Sequence, residues 1–277
     1  MIRKLGNKRV VLNIFKSVIY AFSILILTSC EEVIEIDLNS SNPVLVAEGQ
    51  MVKDSTVWIK LSYTRDYFTN EETVFEEKAT VVITNSNNTS EILSYTGNGM
   101  YKGVTMIGEV GEKYNVDITT EKGMSSAGSK LFEPSEIYDI KVIESNFQRP
   151  GGSKTTYSLE VKFKDVSIDE NFYLMKVYVD EKLESYVLAD DKIFIANDTI
   201  TFPLIHLSFS LYDEVIIKLH TVDEDAYRYY SQLADLTNDV NGPGGSSTPF
   251  NPASNFGKDV MGYFAAWSFV SDTVIIQ

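Results

Sequence analysis

From about residue 43 onward the chain is written in short runs whose side chains alternate, and that period of two limits the fold more than any other feature. Residues 113–119 put Tyr114, Val116 and Ile118 on one side and polar residues on the other, the pattern of a strand with one buried and one wet face. Runs at 43–49, 56–62, 79–84, 91–95 and 99–104 precede it, separated by turn formers such as Asn85-Ser86-Asn87-Asn88 and Gly97-Asn98-Gly99. Tyr and Phe, 16 and 15 residues, are abundant, and aromatic side chains suit strands. Six or seven such runs, with turns roughly every 8–12 residues, predict an immunoglobulin-like β-sandwich over 43–134, closing at Phe132-Glu133-Pro134.

Residues 135–277 predict a second β-rich domain, with strands near 137–144, 156–164, 171–180, 193–195, 214–220, 260–269 and 273–276. The period changes once. Ala226, Tyr229, Tyr230, Leu233 and Leu236 recur at helical spacing behind Asp223-Glu224-Asp225, and acids in a first turn complement the helix dipole. A helix near 224–236 is therefore expected, followed by a Gly- and Pro-rich loop at 241–255. The pattern leaves open whether the two β regions are separate domains or one body.

The N-terminus has a different logic. Arg3, Lys4, Lys8, Arg9 and Lys16 precede a ten-residue apolar run at 18–27, which is the length of a signal peptide and short of the ~20 residues of a membrane span. The run ends in Leu27-Thr28-Ser29-Cys30, which resembles the lipobox of bacterial lipoproteins. The resemblance implies a signal peptide over 1–29, cleavage before Cys30, a diacylglycerol and further acyl chain on that cysteine, and a tether over 30–42. More than one acyl chain is what stable anchoring requires. Cys30 is the chain's only cysteine, so neither a disulfide nor a cysteine nucleophile is expected beside the lipid. Glu31 and Glu32 follow directly. An acidic pair there resembles the export signal of Bacteroidota surface lipoproteins, and reads equally as a solvated tether.

All 39 acids lie after Cys30, whereas five of the 24 basic residues precede it, so 19 bases face 39 acids in the mature chain and its net charge is about −20. Such a surface repels nucleic acid and anionic headgroups. No nucleic-acid partner is expected, and membrane attachment falls to the lipid.

Several stretches together carry a wider likeness: Ile36-Asp37-Leu38, Leu45-Val46-Ala47-Glu48-Gly49, Tyr67-Phe68, residues 222–230, Asn251-Pro252 and Gly262-Tyr263-Phe264-Ala265-Ala266. In this order they resemble the Bacteroidota lipoprotein family catalogued as domain of unknown function 4249. Members tend to be encoded beside TonB-dependent outer-membrane receptors. The resemblance implies an outer-membrane lipoprotein facing the cell exterior, an accessory to such a receptor in nutrient binding or uptake, and it brings no catalytic residues.

Enzymatic chemistry finds little support in the residues. His206 and His220 lack partners at metal spacing, and neither a Gly-x-Ser-x-Gly elbow nor a phosphate loop is present. The acids at 165–170, 190–191 and 223–225 read as solvated charge; a calcium site at 190–191 or 165–170 lacks EF-hand spacing. No enzyme and no cofactor other than the lipid are expected. The alternative is a surface hydrolase of polysaccharide or peptide, working through two carboxylates held in a cleft. Tyr67, Phe68, Tyr263 and Phe264 are the candidate contacts for a ligand or partner, since aromatic rings bind sugar faces and anchor protein partners. Core packing is the competing role, and it is preferred for Trp58, Tyr263 and Trp267.

Overall fold

Alternation becomes sheet along the described residues. The computed structural model describes residues 42–65, 72–149, 152–166, 171–193, 198–238 and 250–277. The first half supplies β1 (Leu45–Val52), β2 (Thr56–Tyr63), β3 (Thr80–Asn85), β4 (Ser90–Ile92), β5 (Ser94–Gly97), β6 (Met100–Ile107), β7 (Lys113–Thr120) and β8 (Gly123–Lys130). The second supplies β9 (Ile137–Arg149), β10 (Gly152–Lys164), β11 (Phe172–Val179), β12 (Lys182–Asp190), β13 (Thr199–Pro203) and β14 (Glu214–Val222). Helix α1 (Glu224–Asn238) and the long strand β15 (Val260–Ile275) complete it. Among the described residues the fold is mainly β with one α-helix, as the sequence pattern predicts, and α1 begins where the acids of 223–225 place it.

Three sheets form. β4-β3-β7-β8 is one, β13-β10-β9 another, and the largest runs β12-β11-β14-β15-β1-β2-β6-β5. This large sheet carries strands from both sides of residue 134. β15 makes the join: residues 260–267 pair in parallel with β1, and residues 268–275 pair antiparallel with β14. Residues 42–277 form one compact unit.

One face of the large sheet is buried in two stretches. Ala47, Met51, Ile59 and Leu61 meet Val81, Ile83, Val116 and Ile118 of the four-stranded sheet. Met175, Val177, Val215, Ile217 and Leu219 meet Leu159, Val161 and Phe163 of β10. The period of two leaves Lys60, Lys176, Lys218 and Trp267 on the other face, which α1 covers only at one end through Ala226, Tyr229 and Tyr230.

Three local differences from the alternation have physical causes. Two strands were expected at 260–269 and 273–276, but β15 is continuous: Ser271, Asp272 and Thr273 resemble a turn, yet they lie opposite Lys218, Ile217 and Ile216. The run expected as a strand at 193–195 starts instead in a single 3-10 turn, Asp191–Ile193, and residues 194–197 lie outside the described residues. β8 escapes the apolar pattern because small and polar residues fill it, and β12 and β13 are further strands beyond those expected. The turn at 97–99 is as expected: Gly97, Asn98 and Gly99 all have positive φ. At Gly99 a Cβ would stand 2.2 Å from the Leu61 carbonyl oxygen, so no other residue fits there.

Candidate functional site

The open face of the large sheet gathers aromatic rings and cations from five elements. Register sets Lys176 of β11 opposite Lys218 of β14 on one side and Tyr186 of β12 on the other. His220 stands opposite Leu174 and Phe269. β15 adds Trp267, and α1 lowers Tyr230 over the group. Lys176 Nζ lies 4.2 Å from the Trp267 ring centre and 5.5 Å from that of Tyr230; Lys218 Nζ lies 5.0 Å from Tyr178 and 5.9 Å from Phe269. All four distances are within cation–π range. The rings also touch one another, Tyr186 to Tyr230 at 5.3 Å and His220 to Phe269 at 5.1 Å. Trp267 is buried beneath Lys176, whereas Phe269 is 39% exposed and Tyr178, Tyr186 and Tyr230 are half-buried.

Burial shapes the electrostatics. Lys176 is drawn down to about 8, first by desolvation and then by the neighbouring Lys218 charge. His220 falls to about 3, through burial and then Lys176. Its Nδ1 lies 3.2 Å from the Leu174 carbonyl oxygen and 3.1 Å from that of Lys218, which assigns the proton to Nδ1 as donor to the strand. Tyr186, Tyr229 and Tyr230 are raised chiefly by burial and remain neutral phenols. Among the described residues, neither Lys176 nor Lys218 has a carboxylate within 4.0 Å. Glu48 of β1 faces the tyrosine cluster but stands opposite a cation of its own, Lys60.

A buried polar node fixes α1 over this face. Asp223 is the helix N-cap: Oδ1 accepts the Ala226 N–H at 2.7 Å and the Tyr263 hydroxyl at 2.8 Å. Oδ2 accepts the Ser129 hydroxyl at 2.5 Å, and Ser129 Oγ accepts the Ala266 N–H at 2.8 Å. One carboxylate thus ties β8, β15 and α1, where the sequence suggested solvated charge. A capping Asp just ahead of an apolar helical period was the available signal.

Two of the four candidate contact residues are corrected. Phe264 is fully buried in the core between the sheets, and Tyr263 is 5% exposed and spends its hydroxyl on Asp223. Because α1 and the four-stranded sheet cover both faces of β15 here, neither ring reaches a ligand. Tyr67 and Phe68, like Cys30, Glu31 and Glu32, lie outside the described residues. Sequence reasoning missed Lys176 and Lys218, whose signal was a lone lysine in the middle of each of two apolar strands.

Of the other acids singled out in the sequence, Asp165 and Asp191 make structural bonds, while Asp169 and Glu170 lie outside the described residues. Asp165 Oδ1 accepts from Asn171 Nδ2 at 3.1 Å and from the Tyr173 hydroxyl at 2.8 Å, while Asp191 Oδ2 accepts the Asn171 N–H at 2.9 Å. These bonds fasten the start of β11. Among the described residues no group of three or more His, Cys, Asp or Glu is placed to hold a metal. A cleft of about 380 Å³ beside α1 is lined by Phe172, Asp190, Lys192, Tyr227 and Arg228, with the Tyr227 hydroxyl 3.4 Å from Asp190. It holds charge of both signs and no histidine.

Two of the stretches that suggested a known family prove to be neighbours in space, while Ile36-Asp37-Leu38 and Tyr67-Phe68 lie outside the described residues. Ala47, Glu48 and Gly49 pair in parallel with Gly262, Tyr263 and Phe264. At Gly262, φ is +89° and a Cβ would stand 2.1 Å from the Ala47 carbonyl oxygen, so the two motifs require each other. No curated protein matches the chain. Residues 31–273 match the family described as domain of unknown function DUF4249, and the chain belongs to that family.

Proposed function

We propose that this protein is a non-enzymatic lipoprotein of the outer membrane. It is held by lipid on Cys30, faces the cell exterior, and binds ligand as an accessory to a TonB-dependent receptor. The observation that carries the binding role is the half-open sheet face, where Tyr178, Tyr186, Tyr230 and Phe269 surround two lysines. Half-buried rings beside polar heads are the raw material of recognition surfaces. A catalytic role finds less support, because the histidine of this face is buried and has its proton committed to strand carbonyls. The lipobox and the acidic pair Glu31-Glu32 support the anchor and its outward orientation.

Mild detergent extraction followed by affinity capture is expected to recover a large outer-membrane barrel with this protein. Cys30→Ser should release it from the membrane fraction, and protease added to intact cells should digest the wild type. Capture without any receptor under several growth conditions would sink the accessory role. Turnover of a polysaccharide or peptide by the purified protein, lost on changing two specific carboxylates, would establish the hydrolase instead.

A further inference from the structure

The pair Lys176–Lys218 is hard to explain by stability. The two residues stand directly opposite each other on adjacent strands, and like charges so placed repel. The mature chain has about twice as many acids as bases, yet neither lysine has a carboxylate within 4.0 Å among the described residues. Lys176 is moreover pressed onto Trp267 beneath Tyr230, where the rings soften its desolvation without neutralising its charge. A half-buried pair of cations that no described carboxylate neutralises is suited to a counter-charge brought by a ligand.

The surroundings narrow what brings that charge. Tyr178 and Phe269 flank Lys218, and Tyr186 and Tyr230 flank Lys176, so flat surfaces and phenolic hydroxyls border the cations. The rings lie on an open sheet face, and small ligands are held in concave sites. An extended ligand fits better. Backbone donors and acceptors in β11, β14 and β15 are already committed to their ladders, which leaves nothing for the backbone of a peptide but suits a chain of ring-shaped units whose hydroxyls meet tyrosines and water.

We propose that Lys176 and Lys218, bordered by Tyr178, Tyr186, Tyr230 and Phe269, form a binding site for a carboxylated saccharide chain. The acid group docks between the ammoniums and neighbouring sugar rings lie on the aromatic borders. The inference rests on the reading above only in taking this face to be the binding surface.

Calorimetry on the full mature protein in detergent tests it, with polygalacturonate, neutral pullulan and polyglutamate as probes. Polygalacturonate is expected to bind, more weakly as salt rises, while pullulan and polyglutamate bind at least about tenfold more weakly. Lys218→Met should lower polygalacturonate affinity about tenfold or more, the loss of one charge-assisted contact, and Phe269→Ala should weaken it as well. Lys176→Met should lose binding while unfolding no earlier than the wild type, which separates a binding defect from misfolding. Absence of polygalacturonate binding, equal binding of pullulan, or equal binding of polyglutamate insensitive to Phe269→Ala would each overturn the site. Receptor capture reports separately: a recovered barrel without saccharide binding defeats this inference alone, and saccharide binding without a barrel defeats the accessory role alone.

Discussion

Protonating His220 means placing a new charge beside Lys176 in a space closed by Trp267 and Phe269. Its ordinary value of 6.5 falls to about 3 in the folded chain, so the unfolded chain takes up this proton first as pH drops. Stability from the neutral ring is complete above 6.5 and is lost progressively between 6.5 and about 3, at roughly 1.4 kcal/mol per pH unit. Denaturant unfolding is expected to show a loss of about 2 kcal/mol between pH 6.5 and 5, a range above ordinary carboxylate titration. His220→Gln should flatten that slope; an unchanged slope would place its origin elsewhere. Lys176 has the opposite consequence for mutagenesis. Lowered to about 8 from 10.5, it costs stability at every pH below 8, and the cost is relieved as pH climbs from 8 to 10.5. Lys176→Met should therefore raise stability at pH 7 by about 2 kcal/mol, once roughly 1 kcal/mol of lost cation–π attraction is deducted. A lower unfolding midpoint would mean that the ammonium has a partner stabilising it. The two lysines were invisible as a pair in the sequence, where 42 positions separate them; only the β11–β14 register sets them face to face.

Among the elements, β15 departs furthest from its sequence pattern. Alternation is readable where one face is wet, as in β7, and becomes silent where both faces are covered, as across residues 262–267. That is why Tyr263 and Phe264 looked available for contact. The helix was legible because its apolar stripe is broken by charge, whereas its N-cap network through Asp223 depends on Ser129, far away in the chain. Gly262 offers the sharpest test of β15. With φ at +89° and Ala47 O at 2.1 Å from any Cβ, Gly262→Ala combines an unfavourable backbone with a collision against backbone atoms. A loss of about 3 kcal/mol or more is expected by chemical denaturation. A loss below about 1 kcal/mol would mean that β1 and β15 can separate cheaply at this point.

At the scale of the molecule, β15 holds the first strand and the fourteenth in one sheet. Parallel pairing of residues 45–52 with 260–267 closes a contact across most of the chain, the long-range kind that slows folding. The sequence could show two β regions but not this join, since pairing partners leave no trace in local periodicity. Deleting residues 260–277 removes a central strand from the large sheet and exposes Ala47, Met51 and Leu219 together. Circular dichroism and thermal melts of that truncation are expected to show loss of cooperative unfolding throughout. A preserved melt from residues 43–134 alone would make the first half an independent domain.

The placement of β15 also sets the order of events in time. The large sheet can join β1 to β14 only after residues 260–275 have been made, because β15 alone pairs with both. Copies stopped before β15 are expected to leave the edges of β1 and β14 unpaired, and so to be cut by protease far faster than copies that carry it.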